Sequence, residues 1–133
     1  MREYGEVAVR AAELGRAGDT KPPEAWDQAA LAVFPRSDSL QEKGCPRGAY
    51  LGLCEDGLVA GIPAGTYTRS RDNKRYALRA VELLIAQPSL AEAEPKVLWE
   101  RVMDGEPKAY NSQMDVVLAL WHSGLITLAS RHA

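Results

Sequence analysis

Asn111-Ser112-Gln113-Met114-Asp115-Val116-Val117-Leu118-Ala119-Leu120-Trp121-His122-Ser123-Gly124-Leu125-Ile126 is the stretch whose reading decides the fold. Met114, Val117, Leu118 and Trp121 fall at i, i+3, i+4 and i+7, the spacing of one helical face, and Val116 and Leu120 widen the stripe. Ser112 is a good N-cap type, with Asp115 three residues on in the manner of a capping box. Gly124 stops the helix and returns Leu125-Ile126 to the core. The pattern predicts a helix over 113–123 and then a short extended piece.

A similar unit lies 67 residues earlier. Cys45-Pro46-Arg47-Gly48-Ala49-Tyr50-Leu51-Gly52-Leu53-Cys54-Glu55-Asp56-Gly57-Leu58-Val59 aligns with Ser112 to Ile126, and Leu51/Leu118, Leu53/Leu120, Gly57/Gly124 and Leu58/Leu125 coincide. Pro46 sits at the first helical position, where a missing N–H costs nothing. Upstream, Ala8 to Leu14 matches Ala77 to Leu83 at five of seven positions, and Trp26 with Pro22 mirrors Trp99 with Pro95. Three matches in one order point to an internal duplication: repeat 1 over 4–62, a basic linker over 63–75, and repeat 2 over 76–128.

Composition sets outer bounds. With 133 residues, 46% of them apolar and 26% charged, the chain has enough apolar surface for one folded domain and is not of disordered type. No apolar run approaches the ~18 residues of a membrane span. The acidic start, Met1 to Glu6, has no apolar signal region, and two cysteines without a secretory signal fit a reducing, cytoplasmic setting. A net charge of −2 argues against a generally polyanion-binding surface. Residues 63–80 are the exception, with Arg69, Arg71, Lys74, Arg75 and Arg79 against Asp72 alone.

Periodicity and breakers give the expected elements. Repeat 1 should have helices over 4–16, 24–33 and 46–56, with a polar loop over 36–44. Repeat 2 should have helices over 74–86, 95–103 and 113–123. Ile126-Thr127-Leu128 is expected to pair with Leu58-Val59-Ala60 as a minor β element.

The strings Gly44 to Glu55 (GCPRGAYLGLCE) and Asn111 to Trp121 (NSQMDVVLALW) resemble those of an uncharacterised bacterial family of short, single-domain proteins, classed only as a domain of unknown function. The similarity covers nearly the whole chain. It implies a bacterial, cytoplasmic origin and carries no activity or site residue. Each half separately is similar to the helix–helix–helix–extended order of a winged-helix unit, an order shared by many three-helix modules.

Candidate chemistry is sparse. A recognition helix needs long polar or basic side chains to reach base edges. The outward faces of the third helices instead carry Gly48, Gly52, Glu55 and Asp56, and Asp115, Ala119, His122 and Ser123. Backbone contact with nucleic acid falls to Arg69, Arg71, Lys74, Arg75 and Arg79, with Tyr67 and Tyr76 as stacking surfaces; the simpler reading is a solvated linker whose cations pair with the acidic helices. Cys45, at a helix N-terminus, is the one candidate reactive thiol, and no histidine is close to it in sequence. Cys45 and Cys54, nine apart on one helix, can neither bridge nor share a metal. The three tryptophans sit at repeated apolar positions and read as core.

Gly48 and Gly52 resist that plain treatment. Each costs about 1 kcal/mol relative to Ala in a helix interior, so two on one face call for close approach of another backbone. The expectation is that the two third helices cross there, with Gly52 against Ala119 and Glu55 near His122; a partner surface is the alternative.

The chain should thus be mostly α: two tandem three-helix, winged-helix-like repeats related by approximate two-fold symmetry. Its expected role is a small cytoplasmic binding or interaction module without catalytic activity, meeting another protein or a second copy through Gly48, Gly52, Glu55, Asp115, Ala119 and His122. Nucleic-acid-backbone binding by the basic linker is the second reading, and an enzyme using Cys45 the third. No cofactor, metal or membrane association is expected.

Overall fold

The computed structural model describes residues 2–128. It has six helices of nine or more residues: α1 (Glu3–Arg16), α2 (Pro22–Val33), α4 (Gly44–Glu55), α5 (Arg71–Ala86), α6 (Pro95–Met103) and α7 (Gln113–His122). The four-residue α3 (Asp38–Gln41) lies in the expected polar loop, and Pro88–Glu92 forms a 3-10 turn. Among the described residues there is no strand, and no hairpin that would make a wing.

Two starts differ from expectation. α5 begins at Arg71 rather than Lys74, so the last five residues of the supposed linker are helical. Ser112 does not cap α7: its φ is 71°, and it makes no side-chain capping bond. Tyr110 does that work instead. Its hydroxyl accepts from the Asp115 N–H at 2.9 Å and donates to the Asp115 carboxylate at 2.7 Å.

The packing crosses the chain midpoint. α1 lies on α2 and α7; α5 lies on α4, α6 and α7; α4 also touches α7. Trp26, fully buried, stacks near Tyr50 (centroids 5.3 Å), and Trp99 meets Tyr76 edge-on (5.2 Å). Of the three tryptophans expected in the core, Trp26 and Trp99 are buried and Trp121 only partly so. Trp121 is near the end of α7, where fewer elements cover it.

The expected β pairing is a single antiparallel bridge, Val59 with Ile126. The Ala60 N–H donates to the Leu125 carbonyl and the Thr127 N–H to the Leu58 carbonyl, both at 2.8 Å. Upstream, Leu58 N–H bonds Leu53 O and Leu125 N–H bonds Leu120 O. Gly57 and Gly124 each turn the chain at φ 71°. Each of these pairs of bonds relates residues 67 apart.

The glycine face of α4 is covered from within. A Cβ on Gly52 would lie 2.6 Å from the Lys74 Cα, and one on Gly48 would lie 3.0 Å from the Ser70 and Asn73 side chains. α5 therefore lies down on that face. On the other side of the molecule a Cβ on Gly5 of α1 would come within 2.8 Å of the Ala119 Cβ. α4 and α7 do touch, but the small residues do not meet each other: Gly52 receives α5 and Ala119 receives α1.

Candidate functional site

The close approach at Gly52 sets the first part of the site. With α5 this near, the Lys74 side chain reaches across the end of α4, and its Nζ lies 3.1 Å from Glu55 and 2.9 Å from Asp56. Glu55 also accepts the backbone N–H groups of Tyr67 (3.0 Å) and Thr68 (2.8 Å), while its carbonyl accepts from Gly65. The carboxylate and carbonyl of Glu55 together thus fasten residues 65–68 to α4. Burial alone would raise the Glu55 carboxyl, but the N–H groups of Thr68 and Tyr67 together with the Lys74 ammonium outweigh it and hold the pKa below the ordinary value. Asp56 first, then Glu55, holds the Lys74 ammonium above its usual value against the cost of burial.

The fastened segment and α5 enclose a cleft of about 840 Å³. Arg69, Arg71, Lys74, Arg75 and Arg79 all line it, beside Thr66, Thr68, Ser70, Leu78 and the carboxylates of Glu55 and Glu82. The five cations picked out by composition are therefore brought together, and Arg71 joins Lys74, Arg75 and Arg79 on the helix. Arg71, Arg75 and Arg79 recur every four residues and share one face of α5, a signal present in the sequence. Thr66, Thr68 and Ser70 carried no such signal, because only the Glu55 clamp places them there.

Three of the cations have partners. Lys74 holds Glu55 and Asp56; Arg75 lies 3.3 Å from Glu106; Arg79 donates to the Val102 carbonyl at 3.0 Å and lies 3.8 Å from Asp104. Arg69 and Arg71 are exposed and have no carboxylate partner among the described residues.

The other residues singled out from sequence are placed elsewhere. Gly48 and Gly52 are buried under α5, and Asp115 is buried beside Tyr110. His122 lies 2.9 Å from the Ala91 carbonyl, not beside Glu55. These six do not form one outward face. Ala119, Asp115 and His122 do border a second, shallower hollow of about 780 Å³ together with α1 and the segment 91–95. Cys45 is partly exposed and accepts from Asn111 Nδ2 at 3.5 Å. Cys54 is buried, and burial pushes its thiol up to about 12. Among the described residues no cluster of three His, Cys, Asp or Glu side chains is placed to hold a metal ion, and no helix is long and apolar enough to cross a membrane.

A comparison with known proteins adds the family. No curated protein and no solved structure matches the chain. A family model described as a family of unknown function, DUF6979, matches residues 1–127. That span includes every helix and every residue lining the cleft, and the chain therefore belongs to this family of unknown function.

Proposed function

We propose that the protein is a small cytoplasmic binding module that takes an anionic group of its partner into the cleft along α5. The observation that supports this is the convergence of Arg69, Arg71, Lys74, Arg75 and Arg79 on one open cleft, with Arg69 and Arg71 unpaired by carboxylates of the described residues. Guanidinium groups offer paired N–H donors that match carboxylate and phosphate oxygens. The cleft is in the size range of ligand sites. Binding is favoured over catalysis because the residues with reaction chemistry are taken up in packing: Glu55 clamps a loop, Asp115 holds Tyr110, and His122 meets a backbone carbonyl.

Retention on a heparin column tests the reading. The wild type should be retained at low salt, and Arg71→Glu should elute earlier at unchanged melting temperature. A wild type that passes straight through would end it.

The same proposal includes an internal repeat. The Val59–Ile126 bridge, the reciprocal bonds around it and the crossings Gly52–Lys74 and Ala119–Gly5 all support two copies of one unit, each contributing its first helix to the other's third. Circular dichroism and melting of a chain in which α1 and α5 exchange sequences would test it; a swapped chain that fails to fold would count against equivalence.

A further inference from the structure

Resting on the cleft as the binding site, we infer that its occupant is an acidic protein helix, one that carries carboxylates four residues apart and an apolar side chain between them. Three features of the cleft carry this. Arg71, Arg75 and Arg79 stand at i, i+4 and i+8 on α5 and all face the cleft. At 1.5 Å rise per residue their origins step by about 6 Å, the step of Glu residues spaced i, i+4 on a second helix. Leu78 is only partly buried and lies in the same wall, an apolar contact that a protein helix can match and a sugar–phosphate backbone cannot.

The surrounding charge argues in the same direction. Asp72 and Glu106 flank Arg75, Asp104 flanks Arg79, and Glu82 lines the cleft beyond Arg79. A polyphosphate carries a charge on every unit and would have to set some against these carboxylates; a helix can present its carboxylates only where guanidinium groups wait. The pairs Arg75–Glu106 and Arg79–Asp104 are solvent-exposed at both ends, the kind worth little in isolation, so a partner's carboxylates can displace them. Outside 63–80 the chain is acidic overall, with 7 basic and 10 acidic residues before and 4 and 7 after. The local field thus selects for a short acidic segment that fits the cleft, against a long polyanion that would overrun it.

The test uses the full chain and three fluorescein-labelled probes, read by anisotropy at physiological salt. One probe is a helical peptide with Glu at i, i+4 and i+8 and Leu at the intervening facing position; the second is its scrambled isomer; the third is dT20. The matched peptide should bind at least tenfold more tightly than the scramble and than dT20. R71E should weaken it at least tenfold without changing the melting temperature, and Lys in place of the facing Glu should restore binding to R71E. Equal binding of the scramble overturns the inference. Tighter binding of dT20 that is lost in R71E also overturns it, yet leaves an anion-binding cleft standing. If no probe depends on Arg71, the cleft reading falls as well.

Discussion

Gly52 and Lys74 are in backbone contact: a Cβ on the glycine would lie 2.6 Å from the Lys74 Cα, nearer than such atoms approach in proteins. The absent side chain lets α5 rest on α4, and this brings Lys74 to Glu55 and Asp56 and the arginine face of α5 to the cleft. A packing choice on one helix so determines where charge stands on the next.

Gly52→Ala should destabilise by about 1–3 kcal/mol, the usual cost of forcing atoms into a filled contact. Urea denaturation checks it. Because the obstructing atom is backbone, relief requires α5 to move, so binding to the cleft should weaken in the same variant. A melting temperature equal to wild type would show that the contact is looser than its geometry states.

Glu55→Gln should cost about 1–3 kcal/mol, since a carboxylate bonded to an ammonium and two N–H groups is replaced by a neutral amide. The pH dependence has a definite sign. A carboxyl whose folded pKa lies below its unfolded value contributes stability above the unfolded value and loses it as pH falls through the folded one. The gap between wild type and E55Q should accordingly be full at neutral pH and close in acid, as followed by melting temperature from pH 7 down to pH 3. A constant gap would mean that the charge of Glu55 contributes nothing.

Trp26→Ala should lose about 3–5 kcal/mol, as expected for a large aromatic removed from a core, because Trp26 is fully buried. Trp121→Ala should lose clearly less, because its ring is partly in solvent. Parallel denaturation curves decide the order, and equal losses would overturn it.

Iodoacetamide at neutral pH should label the native protein once and the unfolded protein twice. Cys54 is buried, and burial pushes its thiol up to about 12, so it stays protonated at neutral pH, while Cys45 is partly exposed. Mass spectrometry reads the result; two labels on the native protein would mean that α4 opens readily.

Much of this was legible in the chain, and the failures have physical causes. The helices over 95–103 and 113–123 could be read from apolar spacing because their buried faces face the core throughout. The start of α5 could not: Arg71, Asp72 and Asn73 have no apolar period, and they are helical because Gly48 and Gly52 leave room for that turn. Ser112 has the composition of a cap, but the Tyr110 hydroxyl, two residues upstream, takes the Asp115 N–H first. The two glycines announced that a backbone comes close. Which backbone it is depends on topology, and spacing along one helix says nothing about that. The arginine cluster was visible as composition, whereas its arrangement as a cleft depends on Glu55 gathering the N–H groups of Tyr67 and Thr68.

The bonds that tie residues 58–60 to 125–127, together with the seat of α1 on α7, also bear on the order of events during synthesis. Of the described helices α1 is made first, and besides its neighbour α2 it packs on α7, which is made last of them. Until α7 emerges, the side of α1 at Gly5, where Ala119 packs, lacks that cover, and α4 lacks first α5 and α7 together and then α7 alone. The N-terminal half therefore stays incompletely covered while the C-terminal half is translated, a window in which a chaperone or a second nascent chain competes for the same apolar surface.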